Sequence, residues 1–264
     1  MKARELKSRS AVTEPYQRLD FSQIAARRSQ VYGLQRETFN GLPSTESLLR
    51  LASSPLLDAA ATGSPVGEQA VASLRAVIGE SGDCSSIVKD IAVERTRLLR
   101  GIRPGQGLPP ACECVYRPSH EIGECNVHGA GALLLQKYNS AGFVADGSVP
   151  PDFLGSELGF MEFLVSREAQ AWQQDDGRSV LALAEAQLAF LDNHIGRWIG
   201  PLQEAVRSEV SSGFWAAMLV LTETHLQMER EYLQQLLDPG AGDREDSDSG
   251  TTSIMGAEIH AKCL

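Results

Sequence analysis

From Val149 to Trp172 the chain reads V-P-P-D-F-L-G-S-E-L-G-F-M-E-F-L-V-S-R-E-A-Q-A-W. Two prolines halt whatever precedes, and Asp152 stands where a helix would begin. On a helical wheel Leu154, Leu158, Met161, Val165 and Trp172 share one face, so this stretch must lay a long apolar stripe against other elements. Glu157 and Glu168 fall inside the same stripe. A carboxylate taken out of water is costly unless a partner meets it. The surrounding chain must therefore supply such partners, or the two glutamates must line a polar pocket in a groove.

The rest of the chain carries the same period. A first helix is expected over 17–39 and a second, opened near Ser44, carries Leu48, Leu49, Leu51 and Leu56. A third carries Val71, Leu74, Val77 and Ile78 and stops at Gly79. A fourth starts at Ser85 or Ser86 and runs to about Leu99. Residues 101–110, dense in Gly and Pro, fit neither helix nor central strand. Helices then follow over 129–141, the 149–172 stretch, 180–195, a segment starting near Pro201, and 214–237. Alternating runs are short and unpaired, and no repeat of fixed period appears. The expected fold is all-α, a single helical domain over 16–238 of about eight or nine helices. A polar arm (1–15) precedes it. An acidic tail rich in Gly, Ser and Asp (239–264) follows, with the composition of a disordered segment.

Charge and composition narrow the function. A net charge of −10 argues against a nucleic-acid binder, which needs a basic face for the phosphates. No apolar run approaches the roughly 18 residues of a membrane span, and the basic start M-K-A-R-E-L-K-S-R-S leads into no apolar signal core. A cytoplasmic protein with no membrane insertion is expected. Five cysteines, an odd number in 264 residues, do not form a disulfide framework.

The segment C-E-C-V-Y-R-P-S-H-E-I-G-E-C-N-V-H offers Cys112, Cys114, His120, Cys125 and His128. Thiolates and imidazoles suit zinc or an iron–sulfur cluster, which would make a redox or sensor module. The spacing lacks the paired C-x₂-C of strong zinc signatures, and Cys112 and Cys114 equally suit small residues entering a turn. The expected set of metal ligands is none. No nucleophile elbow, H-E-x-x-H or phosphate loop is present, so no catalytic residues are assigned. On the 180–198 segment Val180, Ala184, Leu191, His194, Ile195 and Trp198 share a face, with His194 and Trp198 four apart. That places His194 to donate to Glu157 or Glu168.

Four motifs in order carry a resemblance: R-S-Q-V-Y-G-L-Q-R-E-T-F-N-G-L-P-S (28–44), V-E-R-T-R-L-L-R-G with P-P-A-C-E-C-V-Y (93–116), P-P-D-F-L-G-S-E-L-G-F-M-E-F-L (150–164) and F-L-D-N-H-I-G-R-W (190–198). Together they resemble the TorD/DmsD/NarJ family of chaperones that assemble molybdenum- or tungsten-dependent oxidoreductases. The resemblance implies a non-catalytic protein without a cofactor of its own. Its partner would be the apo catalytic subunit of a molybdoenzyme, held through the N-terminal leader and kept open for insertion of the molybdopterin cofactor. It also implies a client-binding set of Tyr116, Pro151, Asp152, Glu157, His194 and Trp198. Asp152 then has two compatible readings, an N-terminal cap and a contact for the arginines of a leader. Phe153 departs from the family, which often carries His at that position.

Overall fold

Asp20 opens the first helix: its carboxylate accepts the N–H groups of Ser22 and Gln23, two donors that the helix itself leaves unpaired. The structure, a computed structural model, describes residues 20–79, 84–101, 108–117, 127–209 and 213–238. The predicted arm (1–15) and tail (239–264) lie outside them. The elements are α1 Phe21–Asn40, α2 Thr45–Ser53, α3 Pro55–Ala61, α4 Pro65–Gly79, α5 Cys84–Leu99 and α6 Glu113–Tyr116. They continue with α7 Val127–Ala141, α8 Leu154–Gln173, α9 Gly177–Asn193, α10 Ile195–Arg207 and α11 Phe214–Leu237. Among the described residues there is no strand, only an isolated antiparallel bridge between Cys112 and Phe153. The all-α expectation is met.

Three boundaries differ from the sequence reading. The second predicted helix is two, because Pro55 cannot donate to the helix before it and the Ser54 hydroxyl caps a new start by accepting from Leu56 N–H. The predicted helix 180–195 begins earlier, at Gly177, where Asp176 caps it through Ser179 N–H. It breaks at His194, whose backbone leaves the helical region (φ −131°, ψ −108°). Consequently α10 starts at Ile195, and Pro201 lies inside it instead of opening it.

Helix α8 packs antiparallel along α1. Phe21 stacks on Trp172 at one end (4.9 Å), Arg36 pairs with Glu162 in the middle, and Asn40 meets Gly155 at the other end. Two glycines mark the close approach: a Cβ at Gly155 would meet the Asn40 carboxamide, which would have to turn away, and one at Gly159 would lie 2.9 Å from Arg36 Cδ. Helices α9 and α10 pack on α8, while α11 packs on α9 and α10 and carries α4. Trp215 of α11, fully buried, donates its indole N–H to the Ile91 carbonyl of α5 at 3.0 Å.

The partner of Glu168 comes from α1. Arg28, buried with it, donates to Glu168 (2.8 Å), Glu229 (2.9 Å) and the Gln187 carbonyl (2.8 Å). Gln187 and the Trp172 indole also donate to Glu168. One guanidinium thus ties four helices. Burial works to raise the Glu229 carboxyl, yet Arg28 and the other partners hold it below its ordinary value. His225, in the same region, is pushed down to about 4 by burial and pairs through Nδ1 with the Gln35 carbonyl oxygen (3.1 Å). No helix of the described residues is long and apolar enough to cross a membrane.

Candidate functional site

The chain leaves α5 through Gly101, whose φ of +60° suits glycine; the Pro110 ring packs where its side chain would be. Leu108 and Ala111 then donate back to the carbonyls of Arg97 and Leu99, which lays residues 108–117 along the end of α5. This segment meets the 150–153 turn in a reciprocal set of bonds. Glu113 N–H donates to Asp152 C=O (2.8 Å), and Leu154 N–H donates to Ala111 C=O (2.9 Å). The Asp152 carboxylate accepts from Cys114 N–H at 3.3 Å. Asp152 therefore caps α6, across a gap of 38 residues. The expectation that it caps its own helix is corrected: α8 has Phe153 at its cap position with no side-chain bond, and Ala111 satisfies Leu154 instead. Tyr138 of α7 donates to the Pro151 carbonyl (2.8 Å), and Ser156 to that of Pro150 (2.8 Å), so the turn is held from both sides.

Between these pieces lies a pocket of about 400 Å³. One wall is Cys112, Cys114 and Val115, the other is Gly131, Ala132 and Leu135 of α7, and Pro151 and Asp152 close the base. Val115 and Leu135 stay 36 % and 41 % exposed at its rim. The lining is apolar with one carboxylate, a combination that takes an apolar segment bearing a donor or a cation. A larger hollow, about 570 Å³, lies at the end of α1 and contains none of the six predicted residues.

The structure brings those six residues together around α6. Pro151 and Asp152 line the pocket. Tyr116 stacks on Trp198 (6.3 Å, 19°) and donates to the Pro109 carbonyl. The Trp198 indole N–H, fully buried, donates to Glu157 Oε2 at 3.2 Å. Glu157 has no exposure, and among the described residues its Oε1 finds no hydrogen-bond partner. Burial, then the neighbouring Glu113 and Asp152, push its carboxyl well above the ordinary value and favour the protonated acid.

His194 corrects a second expectation. It touches neither Glu157 nor Glu168: its Nδ1 faces Glu113 at 3.1 Å and its Nε2 faces Lys137 Nζ at 2.9 Å. The helix break turns its ring towards α6 and α7, while Trp198 reaches Glu157 instead. Glu113, buried and paired with Arg117 at 2.7 Å, is the residue that sequence reasoning missed. Its signal was the four-residue spacing from Arg117, too common to single out without the turn of helix that uses it.

Cys112 is buried in the apolar core and Cys114 half-buried at the pocket wall. Burial, with Asp152 adding to it, pushes the Cys114 thiol up to about 12 and the Cys112 thiol higher still. Both hold their protons, which disfavours them as nucleophiles. His120 and Cys125 lie outside the described residues, as does the His128 side chain. Among the described residues no group of three His, Cys, Asp or Glu side chains could hold a metal.

Comparison with known proteins centres on this region. Residues 65–204, which contain the whole pocket, match the model of the family described as nitrate reductase delta subunit. A perchlorate reductase assembly chaperone protein of Dechloromonas aromatica (strain RCB) is 30 % identical over 118 residues, 44 % of this chain and 51 % of that protein. The chain thus spans about half the length of this curated relative. No solved structure matches.

Proposed function

The chain belongs to the nitrate reductase delta subunit family of NarJ/TorD-like chaperones, and from that premise we propose that it assembles a molybdenum- or tungsten-dependent reductase by binding, not catalysis. It holds the apo catalytic subunit in the cytoplasm and keeps it open until the molybdopterin cofactor is inserted. The client engages through an apolar stretch of its N-terminal leader with a basic side chain in reach of Asp152. The observation that carries the reading is the apolar pocket with that single carboxylate at its base. Tyr116, Glu157, His194 and Trp198 serve it from behind: they fix α6 and the 150–153 turn, and so set the distance between the walls. The acidic balance of the chain favours encounter with a basic leader.

The test is capture of partners from the native host followed by titration of the partner's leader peptide. A reductase catalytic subunit is expected, with Leu135→Asp and Asp152→Asn each weakening the peptide about tenfold or more, about 1.4 kcal/mol. Recovery of no oxidoreductase subunit, or unchanged affinity in both variants, would sink the proposal.

A further inference from the structure

Beside the pocket, an amine, an imidazole and a carboxylate stand in series across three elements. Lys137 Nζ of α7 lies 2.9 Å from His194 Nε2, and His194 Nδ1 lies 3.1 Å from Glu113 Oε2. Glu113 is buried and already accepts from Arg117 at 2.7 Å, so it faces His194 as an acceptor. The ring proton therefore sits on Nδ1, and Nε2 turns its lone pair to Lys137. Stacking on Phe190, with centroids 4.7 Å apart, fixes the ring plane. Lys137 itself remains open to solvent. This is the order of groups that activates a nucleophile: the reacting atom, a base in hydrogen-bond contact, and a third group that orients the base. Fixing α6 for a client uses the His194–Glu113 pair but not the amine beyond it.

We propose that Lys137 is a site of N-acylation by activated acyl donors of the acyl phosphate class, with His194 as the base and Glu113 holding it. Lys137 Nζ attacks the carbonyl carbon and an N–C bond forms. The C–O bond to phosphate breaks, phosphate leaves with the electron pair, and the amine proton passes to His194 Nε2. The step changes no oxidation state. Partial desolvation of the amine, which lowers its proton affinity, works in the same direction, while Glu113 opposes it. The product amide is uncharged. It gives up the cationic contact with the Phe190 ring (5.7 Å) and the attraction of Glu113, two residues along α7 from the pocket wall at Leu135.

The protein carries its own control, since Lys89 is exposed on α5 and, among the described residues, meets no imidazole. The full chain is incubated with acetyl phosphate at several pH values, and acetyl occupancy at both lysines is followed by quantitative mass spectrometry. Lys137 is expected to react about tenfold or more faster than Lys89, since a base held in hydrogen-bond contact speeds proton removal by at least that much. His194→Gln and Glu113→Gln should each bring Lys137 down towards the rate of Lys89 and leave Lys89 unchanged. Circular dichroism establishes that each variant is folded. Equal rates in the wild type overturn the proposal, as does a Lys137 rate that survives both substitutions. If neither variant folds, the wild-type ratio decides alone.

Discussion

Two buried side chains bind protons with opposite consequences for stability. His225 holds a proton only below about 4, against an ordinary value of 6.5, because burial disfavours the cation. Between those values the unfolded chain takes up a proton that the folded chain refuses. The His225 contribution is thus complete above about 6.5 and is lost as pH falls towards 4, at about 1.4 kcal/mol per pH unit. Glu157 runs the other way. Its carboxyl is raised well above 4.5, so the unfolded chain releases a proton that the folded chain keeps, and stability falls as pH climbs from 4.5. Urea unfolding at several pH values separates the two. The stability gap between wild type and His225→Gln is expected to narrow from pH 6.5 to 4. Glu157→Gln, which keeps an acceptor for the Trp198 indole, is expected to gain on the wild type as pH rises above 4.5. A gap that does not move with pH, for either variant, contradicts the corresponding assignment. That Glu157 is out of place was legible from the helical wheel alone. The nature of its compensation, one indole donor and a retained proton, was not, because Trp198 lies 41 residues away.

At the scale of elements, Arg28 is the tie that periodicity could not announce. It sits on the buried face of α1 and reaches α8, α9 and α11 at sequence distances of 140, 159 and 201 residues. Arg28→Ala strands two carboxylates in the core and is expected to cost about 3–5 kcal/mol in urea unfolding. Replacing the whole cluster (Arg28→Met with Glu168→Gln and Glu229→Gln) should cost clearly less, since no bare charge remains. Equal losses for the single and triple variants would show that the ion pairs themselves hold the helices. The same limit explains which boundaries were readable. Caps such as Ser44 and stops such as Gly79 act within a few residues, so helix ends governed by them were placed closely. The start of α10 was not: the helix end was expected at Ile195, close to its place, but the next helix was expected only near Pro201, since apolar spacing through Ile195 and Trp198 reads as a continuation of α9. Two helices sharing that pattern point His194 and Trp198 at different partners.

For the whole molecule, the pocket draws on residues from Pro110 to Trp198, yet no single helix supplies more than one wall. A bound leader peptide should therefore slow amide exchange in α6, in residues 131–138 and in the 150–153 turn, leaving α4 unchanged. Protection confined to the larger hollow at the end of α1 would move the docking site there. The all-helical plan was legible because every long segment repeats one period. The site was legible only as a set of suspects, since α6 has four residues and no period to detect. Such a short helix has no stability of its own; its N-terminus is closed by Asp152 and its flank by Trp198 and His194. On the ribosome, then, the pocket cannot take its shape until the residues up to Trp198 have left the exit tunnel. A prematurely released fragment would contain the pocket's first wall but no means of setting it. Under the proposed function such a fragment could not hold a client, so it would not compete with the finished chain.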